Sequence, residues 1–476
     1  MGSLFLHVLD EGEIERIHQR SLDVLEQAGV RVLDAECRQV LAAAGARVDE
    51  ASNIVRIPRQ LVEEARRLAP PMFEIHHQDG RAILVGGEHR VFGSLVTDPW
   101  IIDYATLQPR RPVLNDIVRH TRLGDALPIV DDIHRMDMPP ADLPPDAAYV
   151  KSLEAFATNT TKHLVALPAS VESARDWLEV AEMYADGQPL GRRRVLSFGV
   201  AVTSPLMLTD VNAWILKEGV RRGMATIPVV CPMAGTTSPL TFAGTLLVSN
   251  AENLFLITLS QLLREGAPIL YGAGPSLTDL RSGYDIYYSP DKMLWKTALI
   301  QMGKFYGLPI TGETGGSLVG RHDMQCGIES ALLMFPSIIL GQNMMGGLGS
   351  CYNAVGMSPE MIVIQAELAG LLMRLAEGID TSEEMLGFDS ILRAGPGGHF
   401  LEDPLTLKML RSPEFFSGSL FDRLGEHGTG RPEESLLARA HARVEEILAA
   451  HEPTLPGHIV EDIQRWANRR LAGKGG

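Results

Sequence analysis

Short apolar runs alternate with helical segments through the middle of the chain, and this alternation constrains the fold more than any other feature. The runs have the length of buried strands, and most are flanked by Pro or Gly; seven can be recognised, at 127–130, 162–167, 194–200, 227–231, 268–271, 308–311 and 337–340. Helical segments lie between them, for example at 209–222, 240–264 and 290–306. Alternation over about 250 residues is typical of a parallel α/β sheet, and at this length it favours a (β/α)8 TIM barrel over an open sheet.

The rest of the chain predicts additions at both ends of this barrel. Residues 1–111 combine amphipathic helices with short β runs but do not alternate regularly, which indicates an N-terminal α+β cap. Residues 112–415 hold the barrel, whose eighth strand falls either at 350–355 or just before Leu127. Residues 416–476 form a C-terminal helical tail with helices at 433–450 and 458–471. We expect these helices either to pack on the outside of the barrel or to make a homo-oligomer contact.

Composition and charge exclude several classes of protein. The formal net charge is -16 and there is no run of Lys and Arg, so we do not expect nucleic acid to bind at a basic surface. The hydrophobic share of 45% and the charged share of 21% are those of an ordinary globular protein. No apolar stretch approaches the roughly 18 residues of a membrane helix, and the first residues do not resemble a signal peptide. We therefore expect a cytoplasmic protein with reduced cysteines and no membrane partner.

The stretch 308–351 is the strongest candidate for the site. A carboxylate, Glu313, lies between Gly312 and Thr314 at the end of an apolar run, and burying a carboxylate is costly unless it has a function. In a TIM barrel the carboxyl ends of all strands face one mouth, so polar residues that follow separate strands meet there. Each of the other polar residues at strand ends is more readily explained by a structural role than by a functional one.

Three familiar kinds of site are not indicated by the sequence. The glycine-rich segments 272–276 and 312–317 lack the spacing of a dinucleotide fingerprint or a phosphate loop, so we expect no nucleotide cofactor. His322 and Cys326 are one helical turn apart, but this spacing is common by chance, and we expect no bound metal. There is no Gly-x-Ser-x-Gly motif, and Cys231 is interpreted as a core residue at a strand end.

Several segments, weak when taken singly, carry a specific resemblance when taken together. They are Asp132-Ile133-His134 with Pro139-Pro140-Ala141-Asp142, Phe305-Tyr306-Gly307-Leu308-Pro309, Asp323-x-Gln325-x-Gly327-x-Glu329, the glycine run at 345–349, and Gly395-x-Gly397-Gly398-His399-Phe400-Leu401. With these segments the sequence resembles the trimethylamine methyltransferase family over most of its length. The resemblance implies a (β/α)8 barrel that moves a methyl group from a methylated amine to the Co(I) of a corrinoid (cobalamin) carried by a separate partner protein.

Two departures from the family pattern bear on the substrate. The trimethylamine enzymes carry pyrrolysine near the end of a late barrel strand, and the similar position here falls within Gly312-Glu313-Thr314. The family often has His-Thr where this chain has Leu405-Thr406. The first departure makes the chain similar to the branch without pyrrolysine, whose members act on quaternary amines such as glycine betaine. A quaternary nitrogen already makes its methyl groups electrophilic, so positioning and electrostatics are what the protein must supply.

The resemblance and the residue types together imply roles for individual side chains. Glu313 is the catalytic carboxylate, and aromatic rings that would hold the cation by cation–π contacts are Tyr271, Tyr284 and Tyr352. Donors for the carboxylate of a betaine are Arg321, His322, Gln342 and Asn343, and the side that admits the corrin carries His134, Gly346, Gly347 and Gly349. Two alternatives stay open: a barrel that binds a methylated amine or corrinoid without catalysis, and a lyase or hydrolase that uses Glu313 as a general base.

Overall fold

The N-terminal part of the chain consists of helices and short strands. The computed structural model describes residues 6–96, 98–136, 139–410, 412, 414–415, 418, 420–421 and 435–473. Ahead of the barrel it contains α1 (Glu11–Asp23), β1 (Val30–Val32), α2 (Ala35–Ala43), β2 (Arg47–Asp49), β3 (Ile54–Arg56), α3 (Arg59–Leu68), β4 (Met72–His76) and β5 (Ala82–Gly86). Asp10 and Asp34 begin α1 and α2, because each side chain accepts a hydrogen bond from a backbone N–H of the first turn.

A (β/α)8 barrel follows, which confirms the predicted fold class. Its elements are β6 (Val91–Leu95), β7 (Trp100–Ile102), β8 (Pro109–Arg110), α4 (Leu114–Ala126), β9 (Val130–Met136), α5 (Pro145–Ala157), β10 (His163–Leu167), α6 (Val171–Tyr184), β11 (Leu196–Val202), β12 (Met207–Leu208), α7 (Asp210–Arg222), β13 (Ala225–Val230), β14 (Met233–Ala234), α8 (Phe242–Leu263), β15 (Tyr271–Gly272), β16 (Ser276–Thr278), β17 (Asp285–Ile286), α9 (Lys292–Tyr306), β18 (Ile310–Glu313), α10 (Met324–Ile339), β19 (Met344–Leu348), β20 (Ser350–Cys351), β21 (Gly356–Met357) and α11 (Pro359–Glu377). The ring itself is β6, β9, β10, β11, β13, β15, β18 and β19, all parallel, and β19 pairs back with β6. A single bridge from Thr226 to Ile269 joins β13 to β15, so the ring is nearly closed there.

The strand that the sequence left ambiguous is β6, and neither predicted position for it was correct. Residues 350–355 contain β20, which belongs to a small separate sheet, and the residues just before Leu127 form α4. β6 has no continuous apolar run because it includes Gly93, where a Cβ would lie 2.2 Å from the carboxylate of Asp132. The division of the chain at residues 112 and 416 stays a prediction, and β6 lies on the N-terminal side of the first boundary.

A second correction concerns the strand predicted at 337–340. These residues are the end of α10 and the turn after it, and the barrel strand is β19, which begins at Met344, four residues after Leu340. A short apolar run fits a buried helix as well as a buried strand, and periodicity alone does not separate them. As a consequence, Gln342 and Asn343 precede a strand rather than follow one, so they lie at the amino end of the barrel and not at its mouth. The other six predicted strands overlap with observed ones.

The amino end of the barrel is closed by the β4–β5 hairpin. Phe73, Ile75 and Val85 from the hairpin pack in one cluster with apolar residues at the beginnings of the barrel strands, among them Val91 and Ala225. This packing buries apolar surface that would otherwise face water. The carboxyl end of the strands is therefore the end at which a substrate site can form, as in other barrels of this type.

Within the described residues, the C-terminal part contains three short helices followed by two longer ones. They are α12 (Glu383–Leu386), α13 (Phe388–Ala394), α14 (Pro404–Met409), α15 (Leu436–Ala450) and α16 (Gly457–Ala472). The last two pack on the outside of the barrel, α15 against α4 and α11, and α16 against α5 and α6. Packing on the outside is thus confirmed, although 433–434 of the predicted helix lie outside the described residues. A homo-oligomer contact stays a prediction.

One barrel helix has the length and composition of a membrane span. Among the described residues, α8 is the one helix that is both long enough and apolar enough to cross a membrane. Of its most apolar 18-residue segment, 72% is buried inside the protein. It packs against α1, α3 and α9. Its polar residues are also used internally, since Asn250 donates to Ser21 and Tyr306, and Asn253 bonds to the backbone of Gly272. The apolar character of α8 is therefore accounted for by packing within the barrel.

Candidate active site

A cavity of about 280 Å³ lies at the carboxyl end of the barrel. Residues in or just beyond all eight barrel strands contribute to its wall, which is mostly apolar. The side chains with polar atoms that line it include Asp98, His134, Tyr287, Tyr288, Glu313 and Ser350. A largely apolar cavity with a few convergent polar groups is the usual form of a site for a small molecule.

Glu313 is the acidic centre of this cavity. It is the last residue of β18, and its side chain, 30% exposed, lines the cavity. The hydroxyl of Tyr287 donates to Oε1, and the ammonium of Lys292 lies 3.7 Å from Oε2. Burial raises the pKa of the Glu313 carboxyl, but Lys292 and Lys296 oppose it, and the pKa lies below its ordinary value. Glu313 is therefore an ionised carboxylate and a weak base, which argues against a general-base role.

Two buried lysines, Lys292 and Lys296, lie beside Glu313. Lys292 and Lys296 are one helical turn apart at the start of α9, so they project from the same face, and each is 2% exposed. Lys296 donates to the backbone oxygen of Glu313, and Lys292 lies 3.0 Å from the centre of the Tyr287 ring. Burial lowers the pKa of Lys292 and lowers that of Lys296 to about 7. Neither lysine was identified from the sequence, although two lysines four residues apart in an apolar segment are a visible signal.

Two adjacent tyrosines supply the aromatic surface of the cavity. The rings of Tyr287 and Tyr288 are 5.1 Å apart in an edge-to-face arrangement. The loop is fixed because the backbone N–H of Tyr287 donates to Asn353 at 2.7 Å, and the hydroxyl of Tyr288 donates to Ser350 at 2.8 Å. Burial raises the pKa of both phenols, so they remain neutral hydrogen-bond donors. An aromatic face beside a carboxylate is suited to a methylated cation.

His134 forms the opposite side of the site. Its Nε2 lies 2.5 Å from the fully buried carboxylate of Asp132, which fixes the orientation of the ring. The ring occupies space left by two glycines on the intervening strands: a Cβ at Gly93 would lie 2.4 Å from His134 Nε2, and one at Gly346 would lie 2.4 Å from Cε1. On β19, Gly347 follows directly, and a Cβ there would lie 3.6 Å from Cβ of Glu313. His134 on β9 and Glu313 on β18 thus lie on either side of the β6–β19 pair, with Gly346 next to the His134 ring and Gly347 next to Glu313.

Metal and thiol chemistry receive no support from this arrangement. Among the residues with described positions, no group of three or more His, Cys, Asp or Glu side chains is placed to hold a metal ion. The thiol of Cys231 lines the cavity, but burial raises its pKa to about 12. A thiol with such a pKa is not a nucleophile at neutral pH.

The family model described as trimethylamine methyltransferase (MTTB) matches residues 3–475 of the chain. The chain belongs to this family. The trimethylamine methyltransferase MttB of Desulfitobacterium hafniense (strain DSM 10664 / DCB-2) is 30% identical over 463 residues, which cover 95% of this chain and 91% of that protein. The glycine betaine methyltransferase of Desulfitobacterium hafniense (strain Y51) is 29% identical over 478 residues, which cover 99% of this chain and 98% of that protein. The protein is accordingly a methyltransferase, and its relatives are named for small methylated amines.

A solved structure agrees with this assignment at the level of the fold. The crystal structure of the hydroxylamine MtmB complex matches 98% of this chain and 94% of that one, with a TM-score of 0.51 and 13% sequence identity. At this identity the likeness concerns the fold alone. The structural match therefore supports the (β/α)8 barrel of this trimethylamine methyltransferase family member independently of sequence similarity.

The structure brings together four of the residues predicted for the site: Glu313, His134, Gly346 and Gly347. The three predicted aromatic residues lie elsewhere. Tyr271 points to the outside of the barrel, where its hydroxyl donates to Asn250 at 2.7 Å, and Tyr284 is 76% exposed in the β16–β17 hairpin. Tyr352 packs beside Cys326 and Met361, outside the cavity wall. Successive strand residues point to opposite faces, which a sequence run alone does not assign. The aromatic rings that line the cavity are instead those of Tyr287 and Tyr288.

The predicted carboxylate donors and Gly349 also lie outside the cavity wall. Arg321 is exposed and pairs with Asp323, and His322 is 2.7 Å from the hydroxyl of Ser358. The remaining ones are structural within the barrel. Gln342 donates to the backbone oxygen of Gly312, Asn343 donates to backbone oxygens of Gly87 and His89, and Gly349 (φ +98°) packs against Ile362. The roles assigned to individual site residues otherwise stay predictions.

The close contact at Gly346 gives a testable consequence. We expect Gly346→Ala to push the His134 ring out of its position and to lower kcat/KM for methyl transfer about tenfold, since small displacements in a site have large effects on rate. Steady-state kinetics would measure this change. Gly327→Ala is the matched control, because a Cβ there contacts nothing within 4 Å. Equal effects of the two substitutions would contradict the role of Gly346.

Proposed function

We propose that this methyltransferase transfers a methyl group from a quaternary methylated amine, such as a betaine, to the Co(I) of a separate corrinoid protein. The observation that carries the proposal is an ionised carboxylate, Glu313, beside the rings of Tyr287 and Tyr288 in a small, mostly apolar cavity. This combination suits a compact cation with apolar methyl groups. The name of one relative, glycine betaine methyltransferase, supports the same class of substrate.

The reaction requires no proton transfer from the protein. The Co(I) of the acceptor supplies the electron pair that forms the new bond to the methyl carbon. The C–N bond breaks at the same time, and its electrons leave with the neutral tertiary amine. Glu313 and the tyrosines bind the ammonium and orient one methyl group toward the mouth of the barrel. Because the positive charge on nitrogen disappears as the bond breaks, Glu313 contributes mainly to substrate binding, and orientation contributes to the rate.

A betaine also carries a carboxylate, and two polar side chains of the cavity wall, His134 and Ser350, are the groups that we propose for it. The ring of His134 lies across β19 from Glu313, and the hydroxyl of Ser350, which accepts from Tyr288, keeps its own proton to donate. These two groups replace the four donors predicted from the sequence. A zwitterion would then be held with its cationic end at Glu313 and its anionic end at His134 and Ser350.

The position of Glu313 is also consistent with the branch of the family without pyrrolysine. It ends β18, a late strand of the barrel, and the chain contains only the twenty standard residues. A quaternary substrate does not need a specially activated residue, because its methyl group is already electrophilic. A neutral tertiary amine such as trimethylamine is a much poorer methyl donor, and we expect this protein to use it poorly.

The proposal is tested with the purified protein and a Co(I) corrinoid. Glycine betaine, choline, tetramethylammonium and trimethylamine would be compared, and the conversion of Co(I) to methyl-Co(III) would be followed by absorbance. We expect methylation with at least one quaternary amine and little with trimethylamine. Failure with every quaternary amine would refute the proposal, and tight binding without transfer would favour a binding protein.

A further inference from the structure

We infer that Lys292 is a positioning residue for this methyltransferase: its buried ammonium is the counter-charge that keeps Glu313 a carboxylate aimed into the substrate cavity. The inference rests on the proposed function for its biological meaning, since Glu313 is there the group that receives the methylated ammonium. It concerns a residue that does not line the cavity and does not touch the substrate.

The geometry links three side chains in one unit. Lys292 lies 3.7 Å from Oε2 of Glu313 and 3.0 Å from the centre of the Tyr287 ring, and the hydroxyl of that ring donates to Oε1. Among the described residues, neither Nζ of Lys292 nor Oε2 of Glu313 has a hydrogen-bond partner. Lys292 therefore acts on Glu313 through its charge and through the Tyr287 ring rather than through a direct hydrogen bond.

A buried carboxylate without a nearby cation takes up a proton, because burial penalises the charged form. The titratable groups that face Glu313 come from several elements: Lys292 and Lys296 on α9, Tyr287 and Tyr288 before it, Cys231 after β13, and His134 on β9 across the glycines of β19. Asp285 on β17 in turn faces Lys292. Of these groups, the two lysines are the ones whose charge lowers the pKa of Glu313.

Removal of the Lys292 charge is therefore expected to raise the pKa of Glu313. In Lys292→Met the burial of Glu313 is opposed by Lys296 and by the hydrogen bond from Tyr287 but no longer by Lys292, so the pKa of Glu313 rises. Below that pKa the carboxyl is protonated and no longer attracts a cation. We expect the affinity for glycine betaine to fall at least tenfold at pH 6 and to recover by pH 8.5, whereas the native protein shows no such loss from Glu313.

Two readouts separate this inference from the proposed function. Infrared difference spectra between pH 8.5 and pH 6 report the carboxylic acid directly and need no substrate. We expect a carboxylic acid band in Lys292→Met that is missing from Lys292→Met combined with Glu313→Gln. Calorimetric binding of glycine betaine and tetramethylammonium is the second readout. Absence of binding by the native protein would count against the proposed function, while the infrared result would still decide the role of Lys292.

The control is Lys304→Met, an exposed lysine on the same helix whose charge faces Glu88 and Arg90 rather than the cavity. It should change neither the infrared spectrum nor the pH dependence of binding. A purely structural role for Lys292 predicts lower thermal stability with an unchanged pH profile. That result, or a folded Lys292→Met without the carboxylic acid band at pH 6, would overturn the inference.

Discussion

Replacing Glu313 with Gln is expected to lower kcat/KM for a quaternary amine about 100-fold, with most of the loss in KM. The amide keeps the size of the side chain but removes the charge that receives the ammonium in an apolar cavity, and loss of one partner of a buried charge pair typically costs about 2–5 kcal/mol of binding free energy. The substitution also leaves the buried ammonium of Lys292 without its counter-ion, which lies 3.7 Å away. Methyl-Co(III) formation at varied substrate concentration would separate KM from kcat.

A matched substitution tests whether this loss is specific to the cavity. Glu360 is buried, at 1% exposure, and it pairs with His441 and accepts from Ser358 outside the cavity wall. Glu360→Gln should retain nearly full activity even if it lowers stability. A fall in kcat with KM unchanged for Glu313→Gln would contradict a role in binding the cation. It would point instead to an interaction made in the transition state.

The barrel could be predicted from the sequence because most of its strands are buried on both faces and read as apolar runs. The two strands that were missed, β6 and β19, are neighbours in the ring and lie between His134 on β9 and Glu313 on β18. Both carry glycines in positions where a Cβ would collide with Asp132 or His134. The glycines that leave space for Asp132 and His134 therefore interrupt the apolar pattern of β6 and β19, and for this reason neither strand was recognised.

The candidate site was predictable only in part, for a similar reason. Glu313 stood out because a carboxylate at a buried strand end is unusual, and no knowledge of side-chain direction was needed to notice it. Tyr287 and Lys292 belong to the loop before α9 and to its first turn, and the sequence does not show that these segments come to lie beside Glu313 of β18. Tyr271 was chosen because it ends an apolar run, but its ring faces α8, and its partner is Asn250. Composition and spacing do not encode that difference.

Two buried tyrosines, Tyr287 and Tyr271, allow the site found in the structure to be compared by measurement with the one predicted from the sequence. We expect Tyr287→Phe to lower kcat/KM about tenfold to 100-fold, because the lost hydroxyl donates to the charged carboxylate of Glu313, and hydrogen bonds to charged groups are worth about 1.5–3 kcal/mol. Tyr271→Phe removes a hydroxyl of the same kind that bonds to Asn250 outside the cavity. It should lower the free energy of unfolding by about 1–3 kcal/mol and leave kcat/KM nearly unchanged. Steady-state kinetics and thermal unfolding of both variants would show whether Tyr271, which the sequence indicated, or Tyr287, which the structure places beside Glu313, contributes to activity. An activity loss confined to Tyr271→Phe would contradict the role of Tyr287.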